Sequence, residues 1–187
     1  MRLVPLVPFA ILATVATPVA AAPAGSWTIE RATSRVTFAA AMNGQAIVGG
    51  FRRFDARIAF DPANLPGSSV TAVIDTASVS TGEQSRDEAL PTDTWFSVKA
   101  FPRAMFKSSA FKALGGNRYV AAGVLTIRGK SRPVSLPFQH VIAGSKAQMR
   151  GSLTIDRRWF GIGQGQFDGT EAVAANVRIN IAVNAHR

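Results

Sequence analysis

The sequence predicts an all-β domain built as an eight-stranded antiparallel barrel, and three observations carry that expectation. Apolar residues recur at every second position through most of the chain, clusters of turn-forming residues separate these runs, and no long stretch repeats apolar residues at helical spacing. Alternation of this kind puts one apolar face on each strand, and a succession of such strands joined by short loops makes a meander.

Val36, Phe38, Ala40 and Met42 share one face of the first run, followed by Phe54, Ala56, Ile58 and Phe60, then Val70, Ala72 and Ile74. A run around Met105 to Ala113 comes next. Tyr119, Ala121, Gly123, Leu125 and Ile127 alternate after it, then Val134, Leu136 and Phe138, then Leu153 and Ile155, and finally Val173 through Val183. Asn43-Gly44, Asp61-Pro62 through Pro66-Gly67, Leu114-Gly115-Gly116-Asn117, Arg128-Gly129-Lys130 and Ala143-Gly144-Ser145 supply turn chemistry between the runs. Closing the meander on itself removes both unpaired sheet edges. One segment breaks the rhythm. Thr81-Gly82-Glu83-Gln84 has the Thr-x-x-Gln spacing of a capping box, which predicts a short helix before Pro91. A second turn from Thr92 or Asp93 carries Trp95 and Phe96, which could close one barrel end.

The N-terminus reads as a secretory signal peptide over residues 1–21. Arg2 leads into a short apolar stretch, and small residues at Val19 and Ala21 place cleavage after Ala21. The apolar stretch is interrupted by Pro5, Pro8 and Pro18 and is too short to cross a bilayer. Residues 22–187 then form a single domain. Removing Arg2 lowers the formal net charge from +10 to +9, still strongly basic. The basic residues are scattered rather than interleaved with stacking aromatics, which argues against nucleic acid and favours anionic membrane headgroups. The chain contains no cysteine, so thiol chemistry and thiolate metal sites are excluded.

Gly50-Phe51, Phe54, Phe60-Asp61-Pro62, Ser78-Val79, Thr81-Gly82, Arg86-Asp87, Leu90, Phe96, Phe101-Pro102, Phe106 and Ser108 stand in an order that resembles the YceI-like family. Tyr119, Gly123, Leu125-Thr126-Ile127-Arg128-Gly129, Pro133-Val134 and Arg157 through Phe160-Gly161-Ile162-Gly163 continue the resemblance, which spans Gly25 to Ala185. It implies a lipocalin-like barrel whose lumen holds a long isoprenoid or similar lipid, in an exported, periplasmic protein. The chain departs from the family's pattern at Met42, where relatives often carry histidine, and at Trp159, where an acidic residue commonly precedes the Phe-Gly.

Alternation alone does not say which face is inward, and the more apolar face is assigned to the lumen. The expected lining is Phe38, Met42, Phe54, Ile58, Phe60, Ile74, Leu125 and Ile127, with Ala40, Ala56, Ala72, Ala121 and Gly123 leaving room for a ligand chain. Arg86, Asp87, Trp95, Phe96 and Arg157 are candidates for a polar mouth that touches a headgroup. Arg86 and Asp87 read better as a brace for the helical segment, and Arg157 could pair with Asp87 or with a ligand phosphate. Gly161-Ile162-Gly163-Gln164-Gly165 reads as a turn rather than a phosphate loop, since no helical pattern follows it. His140 has no evident catalytic partners, and neither it nor His186 has metal-ligand spacing, so neither an enzyme, a metal nor a cofactor is expected beyond a bound lipid. The alternative is a filled barrel in which Trp95, Trp159 and Phe160 form a docking patch for a membrane redox protein or other envelope partner. The oligomeric state is left open.

Overall fold

The computed structural model describes residues 25–187, and the leader expected over residues 1–21 lies outside the described residues. The strand segments are β1 (Ser26–Ile29), β2 (Arg35–Met42), β3 (Gln45–Phe51), β4 (Phe54–Ala59), β5 (Ser69–Asp75), β6 (Val79–Ser80), β7 (Arg103–Gly115), β8 (Arg118–Ile127), β9 (Lys130–Ala143), β10 (Lys146–Asp156) and β11 (Asn176–His186). Among the described residues one short α-helix, α1 (Gln84–Ala89), lies between β6 and β7, and the remaining helical turns are 3-10.

These segments make eight staves. β1 and β2 are two halves of the first, because both pair with β11. β3 and β4 are halves of the second, lying against β2 and β1 respectively. β5 and β6 form the third, against β4 and β3. β7 to β11 complete the ring, each antiparallel to the next, and β11 returns to the first stave. The expected closed, eight-stranded antiparallel barrel is what the chain forms.

Two buried serines hold the staves where they break. Ser34, at the β1–β2 break, receives the Asn184 N–H on its hydroxyl at 3.0 Å, replacing a rung of the ladder to β11. Ser78, at the β5–β6 break, accepts the Arg53 N–H at 3.0 Å from the break between β3 and β4. Both side chains are buried, so each hydroxyl satisfies backbone groups that water cannot reach.

The tight turns follow their residues. Asn43-Gly44 joins β2 to β3 with φ of 50° and 76°, and Arg128-Gly129 joins β8 to β9 with φ of 50° and 70°. Positive φ at both central positions is the hairpin geometry that suits the right-handed twist of the flanking strands. β1 and β3 were not evident from alternation. β3 carries Gly49-Gly50, which weakens its strand signal, and the gap serves packing: a Cβ on Gly49 would stand 2.4 Å from the Phe38 ring. The last strand begins at Asn176 rather than Val173, which makes only an isolated bridge to Met42.

The core divides into two clusters, one at each end of the barrel. Tyr119 and Ala121 on β8 join Trp27, Phe60, Phe138 and Val183 in the first. Leu125 and Ile127, further along the same strand, join Val79, Phe96, Ile155 and Phe160 in the second. Gly123 sits between them, where a Cβ would stand 2.4 Å from the Lys107 carbonyl oxygen and 2.7 Å from the Phe106 ring. Gly123→Ala is therefore expected to lower stability by about 1–3 kcal/mol through overpacking. Urea denaturation should show a lower midpoint at unchanged slope.

Candidate functional site

Between the two clusters the barrel is hollow. The cavity measures about 180 Å³ as the space open to the centres of water molecules, more than ten times what a single water needs, at about 10–15 Å³. Among the described residues, thirty line it, and all but His140 carry hydrocarbon, aromatic or thioether side chains. Phe38, Phe54, Ile58 and Ile74 face inward yet keep part of their surface uncovered, as expected where a core is not filled.

Seven of the expected lining residues stand in this wall: Phe38, Phe54, Ile58, Phe60, Ile74, Leu125 and Ile127. Met42 does not. It lies past the rim, at the end of β2, paired with Gln45 and bridged to Val173. Ala56 and Ala72 pair directly across β4 and β5, flanked by Phe54 with Ile74 and Ile58 with Val70, so two methyl groups make a notch between bulkier pairs. Ala121 also lines the hollow, whereas Ala40 and Gly123 do not, the space at Gly123 being taken by Phe106.

Of the residues expected at a polar mouth, only Phe96 reaches the cavity, standing edge-on to Phe51 with ring centroids 5.7 Å apart. The others are structural. Arg157 is 1% exposed, and its guanidinium is surrounded by main-chain oxygen. Nε donates to the Ala174 carbonyl, Nη1 to those of Ile162 and Gly163, and Nη2 to those of Gly169 and Val173, at 2.6–3.2 Å. Five donors meet five acceptors, which leaves nothing for Asp87 or a ligand phosphate. Burial pulls its pKa down, but the carbonyl cage stabilises the cation that a phosphate would otherwise have balanced. The Gly161–Gly165 stretch is the wall of this cage, and a Cβ on Gly163 would stand 2.5 Å from Arg157 Nη1.

Asp87 is the brace of the helical segment. Its carboxylate accepts the Thr81 N–H at 2.6 Å, the Thr81 hydroxyl at 2.7 Å and the Ser80 hydroxyl at 2.7 Å. The Thr81 backbone bond, followed by the two hydroxyls, holds the carboxyl pKa down at about 2. Arg86 donates to Thr81 Oγ1 at 3.3 Å and lies 3.5 Å from Glu83. The expected capping box is displaced: Glu83, not Thr81, caps α1, accepting from the Ser85 and Arg86 N–H groups at 3.0 Å. Trp95 is half-buried against Phe167, at 5.1 Å between centroids, and Phe160 is completely buried. The aromatic docking patch therefore does not assemble on the surface, where Trp159 alone of the three is exposed.

Sequence reasoning missed His140 as a wall residue, although the signal was there, since it continues the inward series Val134, Leu136, Phe138 on β9. Its ring stands edge-to-face to Phe60 and Trp27, and its Nδ1 is buried without a hydrogen-bond partner. An unsatisfied buried nitrogen costs about 1–3 kcal/mol. Among the described residues no group of three or more His, Asp or Glu side chains is placed to hold a metal ion.

Comparison with known proteins matches these features to relatives. The family model described as the YceI-like domain matches residues 27–185. The crystal structure of BcnA from Burkholderia cenocepacia is 32% identical with a TM-score of 0.81, covering 83% of this chain and 98% of that one. A polyisoprenoid binding domain from Saccharophagus degradans shares the fold at 14% identity and a TM-score of 0.66, covering 86% of this chain and 97% of its own. A UPF0312 protein of Vibrio cholerae is 28% identical over 122 residues, 62% of this chain and 65% of the relative. The match thus spans less than two thirds of the curated relative's length.

Two substitutions test the structural roles assigned at this end. Arg157→Met strips five carbonyls of their donors, those of Ile162, Gly163 and Val173 buried, and is expected to cost about 3–5 kcal/mol, a fall of about 10 °C or more in Tm. A shift below about 3 °C by circular dichroism would show that water replaces the guanidinium. Because folding lowers the Asp87 pKa from 3.8 to about 2, its contribution is complete above the unfolded value and is lost as pH falls toward 2. Asp87→Asn should flatten the stability profile between about pH 4 and 2, and an unchanged acid slope would remove Asp87 from the brace.

Proposed function

Because the chain belongs to the YceI-like family and its barrel encloses an apolar hollow, we propose that the protein binds a long apolar ligand in the barrel lumen and carries or sequesters it outside the cytoplasm. The observation that supports this most directly is the wall itself: thirty residues around one cavity, none of them charged. Such a chamber favours hydrocarbon by about 25 cal/mol per Å² of surface removed from water and offers nothing to an ion.

A polyisoprenoid, an isoprenoid quinone or a fatty-acid derivative fits this chemistry. Strands of 10 to 14 residues from β7 to β11, rising about 3.3 Å per residue, make a sheath long enough for an extended chain of that kind. The leader expected from the sequence of residues 1–21 favours export to the periplasm, and the basic composition favours transient contact with anionic membrane, where ligand would be loaded or delivered. Catalysis finds little support. His140 is the sole ionisable side chain among the described lining residues, and no carboxylate or nucleophile shares the wall with it. A docking module with a filled barrel is the weaker reading, given the hollow interior and the buried Phe160.

The experiment is mass spectrometry of the organic extract of protein purified from the periplasm without detergent, against a mock purification. A stoichiometric lipid is expected in the wild type. Ala72→Phe or Ala56→Phe, which fill the notch between β4 and β5, should cut its yield about tenfold or more while circular dichroism remains that of the parent barrel. An empty extract that stays empty after exposure to isoprenoid and fatty-acid mixtures would sink the carrier reading.

A further inference from the structure

The carrier reading leaves the polar end of the ligand unplaced, and the wall offers a place for it. Among the described lining residues, two side chains carry a nitrogen: Trp27 and His140. Trp27 has committed its N–H to the Phe60 carbonyl at 2.9 Å. His140 is only 8% exposed and has an Nδ1 with no partner. Phe60 stands edge-to-face to the imidazole at 4.8 Å and Trp27 at 6.0 Å, so the ring sits in an aromatic box at one end of the hollow. Burial holds its pKa below the ordinary value of 6.5, which keeps it uncharged near neutral pH with one donor and one acceptor.

We propose that His140 recognises the ligand's headgroup, and that this head is an uncharged hydrogen-bonding group, a hydroxyl, carbonyl or amide, seated beside Trp27 and Phe60 with the apolar chain running toward Phe96. The proposal rests on the carrier reading and narrows its ligand. A hydroxyl or amide both donates and accepts, as a neutral imidazole does, and a carbonyl satisfies its N–H. A phosphate head would bring charge into a chamber whose lining contains no Lys or Arg, since Arg157 is spent on carbonyls and Arg86 lies outside the wall. A bare hydrocarbon would leave Nδ1 unpaired. Nδ1 has no exposed surface in the empty barrel, so the contact requires a half-turn of the ring about Cβ–Cγ, which exchanges Nδ1 for a carbon of similar size, to turn it toward the ligand.

The test uses lipid-stripped mature protein and three probes with one C20 isoprenoid chain: geranylgeraniol, the hydrocarbon lacking the hydroxyl, and geranylgeranyl monophosphate. Titration calorimetry should show wild type binding the alcohol about three- to tenfold tighter than the hydrocarbon, the worth of one hydrogen bond, and the phosphate more weakly than either. His140→Leu should erase the alcohol's advantage over the hydrocarbon in the same variant, and His140→Gln should restore part of it. In wild type, the His140 ¹⁵N ring resonances should move with the alcohol and stay with the hydrocarbon, which keeps the proposal testable if a variant does not fold. Equal affinity of wild type for alcohol and hydrocarbon, an alcohol preference that survives in His140→Leu, or tighter binding of the phosphate overturns the proposal and leaves the carrier reading standing. Failure to bind any of the three overturns the proposal, and the carrier reading falls with it if fatty-acid derivatives also fail to bind.

Discussion

The architecture depends on the seam at which the last strand returns to the first. β11 pairs with β10 along its whole length, with β2 from Arg178 to Ala182, and with β1 at Ala185 and His186. One strand thus closes the ring against a stave that bends between its two halves, and the Ser34 hydroxyl keeps the bend bonded to Asn184. Among the described strands, closure leaves only the two-residue β6 without a second partner, too short an edge to template aggregation. It also sets the width of the interior from the backbone, through the number and tilt of the staves, independently of what the side chains fill. Whether the interior is solid or hollow is then decided by a few residues. Ala56, Ala72 and Ala121 leave space that Phe or Leu would have taken, and that is where the hollow survives.

The two ends solve different problems. At the end that holds Trp27 and Arg187, aromatic rings form the stopper: Phe60 meets Phe111, Tyr119, Phe138 and His140 at 4.8–5.5 Å, and the Arg187 guanidinium lies 4.8 Å from the Trp27 ring. At the other end, long connections must cross the barrel, and their backbone polar groups need partners. Arg157 satisfies five carbonyls of the 162–174 stretch, Arg128 donates to the carbonyls of Asp93 and Gly161, and Asp87 ties the start of the helical segment to Thr81. The charged residues concentrated there hold loops in place, and the lumen is left to apolar groups and one imidazole.

Much of this was legible in the sequence, and the failures have physical reasons. Alternation exposed the strands in which large apolar residues recur, and inward parity was right for Phe38, Phe54, Ile58, Phe60, Ile74, Leu125 and Ile127. It failed at Met42 because parity says which way a residue points but not whether the strand has already passed the rim. It failed at β3 because glycine erases the pattern where a neighbouring ring, that of Phe38, occupies the missing side chain's place. Arg157 reads as a candidate mouth residue because a guanidinium can pair with a ligand phosphate as easily as with Asp87. The carbonyls that surround it come from residues 162–174, which have no pattern that announces a cage. His140 had the parity of a wall residue, but a histidine is customarily weighed as a catalyst or a metal ligand before it is weighed as one polar atom in an apolar chamber.

The hollow also links ligand to fold. An unfilled lumen forgoes the dispersion contacts that its walls would make with a filled core, and the buried Nδ1 of His140 forgoes a hydrogen bond. A chain with no disulfide has only burial and hydrogen bonding to offset these losses, and the closed ladder, the two buried serines and the Arg157 cage are where that stability resides. A ligand that occupies the lumen supplies the missing contacts in the native state alone, since the unfolded chain has no chamber, and so it stabilises the barrel by mass action. In the proposed carrier, the features that make the empty protein less stable would thus be ones that serve binding: the alanine notch would give a ligand room, and the unpaired imidazole would give it an orientation.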